Sequence, residues 1–430
     1  MKILHTADLH LGQILYQNYD RADEHQHFFQ QLTRWCKAHQ PDALLLSGDI
    51  FDIQQPSAAT KKVFNEYFVS LHCACPQMRI VITAGNHDSA SRLQADSVLW
   101  EVADATLVGT GPAVESAAGW EEKYIVRLEA GYIVAMPYMI GERKEQLQQL
   151  LDHIAAENTA GKPVVMMAHT AVAGLDTEGH NFEIGTLKTQ SIASFGEGFD
   201  YLALGHIHKP QTIGRPEDVF KEKVSYPAPV VRYSGSALHV SCDETYPHSV
   251  SLVNLDKHGG TVEIELLRIE QLRHFYVLPK EGSFTTEEEA LAAVESFIQE
   301  GEKGYIRLSI DHQTPLSSNF TQKIYDLLAP TDNAVRYNPK IIWTGFSEKQ
   351  VEAAAKPTFA VADLQQMTDP MEFIEKTFDN YPTLRLDEVR AAFEEVEIEL
   401  RRMDEEAEND TKKKTKKQQT PTAEGETPES

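Results

Sequence analysis

The chain has 430 residues, 41% of them hydrophobic, and a formal net charge of −25 at pH 7. This length predicts two or three domains and is ample for a full hydrophobic core. No apolar stretch of the sequence approaches the roughly 18 residues of a membrane helix. His5, Asp8 and His10 interrupt the apolar N-terminus, which argues against a signal peptide. We therefore expect a cytoplasmic protein without a membrane segment.

The strong acidity bears on the choice of partner. Binding to nucleic acid usually requires a basic surface, so a charge of −25 disfavours broad electrostatic binding by this chain alone. The acidity does not exclude phosphate chemistry, because bound divalent cations would offset negative charge at the place where a phosphate must lie. A partner that supplies basic surface would also reconcile the acidity of this chain with binding to nucleic acid.

The first half of the chain alternates apolar, strand-like runs with helical segments. Residues 24–39 have helical spacing, with Phe28, Leu32 and Trp35 on one face, and residues 58–73 form a second helical stretch. The strand-like runs are KILHTADLH, DALLLSGD, RIVITAGNHD, YIVAMPY, PVVMMAH, YLALGHIH, VVRYSGSA and SVSLVNLD. Strands that first alternate with helices and then follow one another predict an α/β sandwich with stacked sheets and outer helices.

The pattern changes near residue 270, where short segments predict the order β-α-β-α-β. We therefore expect a first domain of residues 1–269, followed by a small α+β domain of residues 270–350. Residues 351–406 then predict a pair of helices. Residues 407–430 are of low complexity and predict a disordered tail.

The second of these C-terminal helices carries a narrow apolar seam on an otherwise charged surface. Its members are Leu386, Val389, Phe393, Val396, Leu400 and Met403. Their 3,4,3,4,3 spacing is typical of a coiled-coil contact. The helix could instead lie on its own domain, but a strict seam with acidic flanks favours docking on a partner helix at least as much.

Metal-capable side chains follow five of the predicted strands. They are Asp8 and His10, Asp49, Asn86 and His87, His169, and His206 and His208. The carboxyl ends of strands form the ligand crevice of α/β sheets. In an extended backbone, residues two apart, such as His206 and His208, point to the same side. Glycines before Asp49, Asn86 and His206 would let the backbone approach closely, so the pattern predicts one shared metal centre.

These residue types suit two divalent ions that act on a phosphate group. Two ions can clamp an in-line displacement at phosphorus, and Asp49 is the best candidate for a carboxylate that bridges them. A histidine-rich site favours Mn, Fe or Zn over Mg. His87 could stabilise the transferring phosphate or protonate the leaving oxygen. Asp88 could fix the tautomer of His87 or cap a helix. Asp52 could line the site near Asp49 or have only a structural role in its loop or as a cap.

The series DLH, GD, GNHD, H and GHIH resembles the signature of the calcineurin-like metallophosphoesterases. The resemblance implies an α/β protein with a four-layer αββα sandwich and two metal ions. It implies that one ion is held by Asp8, His10, Asp49 and His208, and the other by Asp49, Asn86, His169 and His206. It also implies that His87 is a catalytic residue that does not bind metal.

Longer motifs resemble one particular group within this family. MKILHTADLHLGQ, SGDIFD, AGNHDS, IGTL, ALGHIHKPQ and YSGSALHVSCDE together resemble bacterial nucleases of DNA double-strand-break repair. The resemblance implies a Mn²⁺-dependent nuclease that acts as a 3′→5′ exonuclease on duplex ends and as an endonuclease on single strands and hairpins. It further implies a DNA-recognition role for residues 270–350, an SMC-like ATPase whose coiled coil receives the C-terminal helices, and a homodimer of nuclease subunits.

Two rival functions stay open. The first is a stand-alone metallophosphatase or small-molecule phosphodiesterase, although small substrates need neither the 270–350 domain nor the seam helix. The second is a non-catalytic scaffold that holds an ATPase coiled coil and binds metals only for structure. A purely structural metal site would have no use for an additional histidine such as His87, which argues against the scaffold.

Overall fold

The structure is a computed structural model of the whole chain, and part of the chain is described. The described residues are 1–101, 104–113, 118–139, 141, 143–176, 189–244 and 246–345. The predicted helices of residues 351–406, the seam from Leu386 to Met403 and the tail of residues 407–430 lie outside this range. Within it, no helix is both long and apolar enough to cross a membrane.

The helices and strands have the following bounds. The strands are β1 (Lys2–Thr6), β2 (Ile14–Leu15), β3 (Tyr19–Asp20), β4 (Ala43–Ser47), β5 (Arg79–Thr83), β6 (Ala105–Val108), β7 (Ile125–Arg127), β8 (Tyr132–Ala135), β9 (Val164–His169), β10 (Tyr201–Gly205), β11 (Gln211–Thr212), β12 (Lys223–Pro227), β13 (Val230–Tyr233), β14 (Ser249–Leu255), β15 (Thr261–Arg268), β16 (His274–Leu278), β17 (Gly304–Asp311), β18 (Val335–Tyr337) and β19 (Ile342–Thr344). The helices are α1 (Ala22–His39), α2 (Ala58–Ala74), α3 (Ala90–Glu101), α4 (Lys144–Glu157), α5 (Glu287–Gln299) and α6 (Phe320–Leu328). Every predicted strand-like run contains a strand, and both predicted helical segments are helices.

The first sheet has seven strands in the order β12-β15-β14-β1-β4-β5-β6. Strands β1, β4, β5 and β6 are parallel neighbours, and β14 joins β1 antiparallel. Because side chains alternate across a strand, β4 serves two cores. Leu44 and Leu46 pack in the core that holds Phe28 of α1 and Phe64 of α2, whereas Leu45 belongs to the core shared with the second sheet.

The second sheet has six strands in the order β11-β13-β10-β9-β8-β7, with β8, β9, β10 and β13 parallel. Leu45 of the first sheet shares one core with Val165 of β9 and Leu202 of β10. Leu150 and Ile154 of α4 are buried in the same core. The predicted αββα sandwich is therefore confirmed, with two stacked sheets and helices on their outer faces.

A third sheet contains β16, β17 and β18 in that order, all parallel. Helices α5 and α6 cover it, so the predicted order β-α-β-α-β is found. Its core is separate and includes Val294 of α5, Ile324 of α6 and Ile306 of β17. We refer to residues 274–310 and 314–338 as the third-sheet subdomain. It belongs to the same compact unit as the sandwich, which comprises residues 1–310 and 314–342; the described residues 311–313 and 343–345 belong to a second unit.

A buried carboxylate on α1 ties the third-sheet subdomain to the sandwich. Glu24 is 1% exposed. Its Oε1 accepts hydrogen bonds from the hydroxyl of Tyr305 at 2.6 Å, from Arg336 at 3.1 Å and from Arg273 at 3.2 Å. Its Oε2 pairs with Arg21 at 2.5 Å. The single carboxylate of Glu24 thus neutralises guanidinium groups from the sandwich and from the region of the third sheet.

Replacing Glu24 with glutamine is expected to lower the free energy of unfolding by about 3–5 kcal/mol, because it leaves buried cations without their counter-charge. Urea unfolding of the two proteins measures the difference. Glu122→Gln is a matched control, since Glu122 pairs with Arg127 on the surface and such pairs contribute about 1 kcal/mol or less. Equal losses in the two variants would contradict the role assigned to Glu24.

Candidate metal centre

The five strand ends that carry the predicted ligands meet in one crevice. They are the ends of β1, β4 and β5 in the first sheet and of β9 and β10 in the second. Three of the predicted ligands, Asp8, His10 and His208, have ligand atoms within 4.8 Å of one another, and so do Asp49, His169 and His206. The side-chain oxygen of Asn86 lies beside this second group. The structure therefore brings all seven predicted ligands together, at the facing ends of two sheets.

The backbone at these residues differs from the predicted extended form. Asp8, His10, Asp49 and His206 have φ angles of 51°, 46°, 48° and 93°. These values lie in the left-handed region, which costs a non-glycine residue roughly 1–3 kcal/mol. The prediction that strand alternation directs the paired side chains to one side is therefore wrong. Tight left-handed turns direct them, and strain of this kind is typical of functional sites.

The glycines that precede three of the ligands are confirmed as points of close approach. A Cβ atom on Gly48 would lie 2.1 Å from Nδ1 of His169, and one on Gly205 would lie 1.9 Å from the carbonyl oxygen of Ser47. A Cβ atom on Gly85 would lie 2.0 Å from Oδ1 of Asp49. The loops can only come together because these three positions have no side chain.

Gly85→Ala is expected to reduce divalent-metal binding by at least about tenfold, because the added methyl group must displace the carboxylate of Asp49. Calorimetric titration of the metal-free protein with Mn²⁺ measures this. Gly161→Ala controls for backbone strain away from the site, since a Cβ atom there meets nothing within 4 Å but the φ of 63° is unfavourable for alanine. Metal affinity that is unchanged in Gly85→Ala would show that the position of Asp49 does not control binding.

The first ligand group includes the buried imidazole of His10. Nε2 of His10 is buried and has no hydrogen-bond partner among the described residues. It lies 4.0 Å from Oδ2 of Asp49. The carboxylate of Asp8 accepts hydrogen bonds from the backbone N–H of His206 at 2.9 and 3.1 Å, which fixes its orientation. A buried imidazole nitrogen without a partner is costly unless a ligand occupies it.

In the second group, the donor atoms converge on a small volume. Nε2 of His169 lies 3.2 Å from Oδ2 of Asp49 and 3.0 Å from Oδ1 of Asn86. Nδ1 of His206 lies 2.9 Å from the same oxygen of Asn86. Because Asp49 also borders His10 of the first group, its carboxylate lies between the two sets of ligands. It is thus placed to bridge two cations.

Burial and mutual charge determine which of these groups carries a proton. Burial raises the pKa of Asp8 to about 6, against the opposing charge of His169. Burial also opposes ionisation of Asp49, but His169 and His10 outweigh it and lower the pKa of Asp49. Burial disfavours the imidazolium form of His169, yet Asp49 outweighs it and raises the pKa of His169 to about 9. Asp49 is thus the stronger anion, and a bound cation would replace the proton of His169.

His87 lies exposed at the rim of the crevice. Its backbone N–H donates to Oδ1 of Asp49 at 2.8 Å, and its ring lies 4.9 Å from that of His10. Nδ1 of His87 lies 2.8 Å from the carbonyl oxygen of Asp52. Since a carbonyl only accepts, Nδ1 carries the proton and Nε2 is left for another partner. Oδ1 of Asp52 also lies 3.3 Å from Nδ1 of His10, so Asp52 borders the site.

The predicted role of Asp88 as the residue that orients His87 needs correction, as does its alternative role as a helix cap. The carboxylate of Asp88 accepts the backbone N–H groups of Ile50, Phe51 and Gly85 at 3.1, 2.9 and 2.8 Å. It therefore joins the loops after β4 and β5. The physical reason is burial: an inward-facing carboxylate binds the nearest unpaired backbone donors.

Two contacts that sequence reasoning missed orient the metal-facing histidines. Nδ1 of His169 donates to the carbonyl oxygen of Ser47 at 2.8 Å, and Nδ1 of His208 lies 2.9 Å from Oε1 of Glu244. Each contact leaves Nε2 for a metal ion. Glu244 is 2% exposed, and burial raises its pKa to about 7. No spacing in the sequence links residue 244 to residue 208, so only the fold reveals this pair.

The donor set fits divalent cations. It combines carboxylate oxygens, an amide oxygen and imidazole nitrogens in two adjoining groups. Transition metals accept such mixed oxygen and nitrogen shells. The seven residues that would hold the ions are Asp8, His10, Asp49, Asn86, His169, His206 and His208.

Comparison with known proteins agrees with this geometry. Residues 1–210 match the calcineurin-like phosphoesterase family, whose members use divalent metals. The chain is 31% identical over 314 residues to SbcD of the nuclease SbcCD from Rhodobacter capsulatus, covering 66% of this chain and 73% of that protein. It is 29% identical to the Escherichia coli K12 protein of the same name, covering 65% and 70%, and 30% identical to that of Bacillus subtilis, covering 59% and 66%. The chain therefore belongs to the SbcD family of nucleases, metal-binding hydrolases that act on phosphodiester bonds.

Proposed function

We propose that this chain is a Mn²⁺-dependent DNA nuclease that hydrolyses phosphodiesters with two metal ions. The main observation is the pair of adjoining ligand groups with Asp49 between them. In this proposal Asp8, His10, Asp49 and His208 hold one ion. Asp49, Asn86, His169 and His206 hold the other.

The ions, when bound, would supply Lewis-acid polarisation of the phosphate and activation of water. The residues of the chain have separate tasks. Ser47 and Glu244 hold the protons on Nδ1 of His169 and His208, so that Nε2 of each imidazole faces the centre. Asp88 joins the loops that carry Asp49 and Asn86, which keeps the ligands pre-organised.

His87 is proposed as the catalytic residue that binds no metal. The carbonyl of Asp52 occupies its Nδ1–H. As an imidazolium, His87 then keeps its Nε2–H for a phosphate oxygen or for the leaving 3′-oxygen. A donor at this place stabilises charge that develops in the transition state and can deliver a proton to the departing strand.

Mn²⁺ is the proposed ion because four of the seven ligands are histidines, and Mg²⁺ prefers oxygen ligands and retains water. Removing metal with a chelator is expected to abolish DNA cleavage, and adding Mn²⁺ back is expected to restore it at least about tenfold better than Mg²⁺. Cleavage rates of an end-labelled duplex after each addition measure this. Full activity with Mg²⁺ alone would contradict the assignment of the ion.

A partner is proposed to supply the DNA-binding surface that this acidic chain lacks. The relatives are named for a two-part complex, SbcCD. We therefore propose an SbcC-type, SMC-like ATPase whose coiled coil receives the helices predicted for residues 351–406. The proposed assembly contains a homodimer of the nuclease chain. Residues 270–350 are proposed to cap the nuclease domain of residues 1–269 and to contact DNA.

The proposed substrates are duplex ends, attacked as a 3′→5′ exonuclease, and single strands and hairpins, attacked as an endonuclease. The test compares Mn²⁺-dependent cleavage of end-labelled duplex, single-strand and hairpin DNA with hydrolysis of p-nitrophenyl phosphate, with and without the partner ATPase. We expect DNA cleavage that the partner stimulates. Hydrolysis of the monoester alone, with DNA untouched even when the partner is present, would favour a stand-alone phosphatase.

A further inference from the structure

A short stretch of chain connects the third-sheet subdomain to the metal centre. Residues 239–244, here called the 239–244 segment, follow β13 and precede β14. At one end, Glu244 contacts the proposed metal ligand His208 at 2.9 Å. Glu244 is itself held in place, because its Oε2 accepts the backbone N–H of Val240 at 3.0 Å and lies 3.4 Å from Nε2 of His248.

The third-sheet subdomain holds the residues beside Glu244. Nη1 of Arg307, on β17, donates to Oδ1 of Asp243 at 3.1 Å and lies 3.0 Å from the sulfur of Cys242. Nδ2 of Asn338, directly after β18, lies 3.2 Å from the same sulfur. Asn338 is 1% exposed, so its position is set by the surrounding core. These contacts join the subdomain to the residues adjacent to Glu244.

The other end of the segment is held as well. Nη1 of Arg21 donates to the carbonyl oxygen of His239 at 2.5 Å. Arg21 pairs with Glu24, whose second oxygen binds Tyr305, Arg273 and Arg336. The segment is thus fixed at both ends by groups that depend on the position of the third sheet.

We propose that the 239–244 segment is a positioning element through which Arg307 orients the metal ligand His208, an inference that rests on the proposed metal centre. Arg307 fixes Asp243 and Cys242, which places the carboxylate of Glu244 on Nδ1 of His208. Groups that orient a metal-bound histidine typically change metal affinity 10- to 100-fold when removed. Arg307 is thus a positioning residue, which acts on the ion through Glu244.

The test is calorimetric titration of the metal-free, full-length chain with Mn²⁺, without DNA. Arg307→Ala is expected to weaken one of the two Mn²⁺ sites about tenfold and to leave the other unchanged. Glu244→Ala is expected to weaken the same site by about 10- to 100-fold. Arg307→Lys, which keeps a donor for Asp243, should recover part of the affinity. Lys323→Ala removes an ion pair with Glu287 in the same subdomain and should leave both sites as in the wild type.

The double variant Arg307→Ala/Glu244→Ala decides whether the two residues act in series. If Arg307 acts through Glu244, the double variant binds Mn²⁺ no more weakly than Glu244→Ala, whereas independent residues give additive losses. Additive losses, equal weakening of both sites, or unchanged binding in Arg307→Ala would each overturn the inference. Asp243→Asn breaks the same ion pair from a half-exposed side chain and replaces Arg307→Ala if that variant does not fold.

The result of this titration can be distinguished from the result of the nuclease test of the proposed function. Titration with Mn²⁺ reports on the ligands alone, so a chain that binds two ions and cleaves no DNA overturns the proposed function and leaves this inference standing. A chain that cleaves DNA while Arg307→Ala binds both ions normally overturns this inference only.

Discussion

Changing His87 to alanine is expected to slow DNA cleavage by about 10²- to 10⁴-fold while both metal ions stay bound, since general acid catalysis contributes about that much. The structure places the imidazole at the rim of the crevice with Nδ1 held by the carbonyl of Asp52. The side chain thus has one nitrogen left for the phosphate. Its backbone N–H, which donates to Asp49, is retained in the variant, so the carboxylate of Asp49 keeps its orientation.

The measurement combines the cleavage rate of an end-labelled duplex with the Mn²⁺ content of the same sample. His153→Ala is the control, because His153 is a half-buried histidine on α4 that pairs with Glu122, away from the crevice. Loss of metal together with activity in His87→Ala would make His87 a ligand. Unchanged cleavage would remove His87 from the chemistry of the nuclease.

Asp49→Asn is expected to reduce cleavage by at least about 10³-fold and to leave fewer than two tightly bound ions per chain. A carboxylate can share its charge between two cations, whereas an amide is neutral and offers them one oxygen. The electrostatic stabilisation of the phosphate falls with the lost ion. In the metal-free protein the same change removes the anion that raises the pKa of His169, so the variant also loses the ion pair between Asp49 and His169.

The check is metal content after gel filtration, followed by the cleavage assay at saturating Mn²⁺. Asp152→Asn, an exposed carboxylate on α4, is the control for the loss of one negative charge. Two bound ions and near-normal cleavage in Asp49→Asn would mean that another group bridges the metals.

Much of the sandwich could be predicted because its strands are short, fully apolar and followed by polar residues. β4, with the sequence ALLLS, is buried at every position, which is typical of a parallel strand covered on both faces. β15 was missed although Val262 and Ile264 alternate with the glutamates between them. It lies between β14 and the edge strand β12 and pairs antiparallel with both. A strand with one solvated face carries too few apolar residues to stand out in the sequence.

The ligand identities could be predicted, while the way they are oriented could not. Residue type and position after a strand identified Asp8, His10 and Asp49, but strand alternation suggested an extended backbone where the φ angles are near +50°. The spacing of residues in the sequence does not reveal a left-handed turn when the residue in the turn is not glycine. Nor does the sequence indicate the contacts of Asp88, since two of its three backbone partners come from the loop after another strand.

Contacts between residues far apart in the sequence, in the site and elsewhere in the fold, were also missed by sequence reasoning. Glu244 and His208 are 36 positions apart, and Glu24 and Arg336 are 312 positions apart. Their pairing depends on how the second sheet and the third-sheet subdomain return to the crevice. Such pairs cannot be identified from the sequence and are found only in the folded structure.

The proposed nuclease depends on one crevice, at the ends of two sheets, where Asp49 would bridge two metal ions. The decisive experiment is titration of the metal-free chain with Mn²⁺, read by calorimetry and by electron paramagnetic resonance on the same samples. We expect two ions per chain with a spin-coupled spectrum, and loss of the coupling in Asp49→Asn. A single bound ion, or two ions whose spectra are uncoupled in the wild type, would contradict the bridged pair.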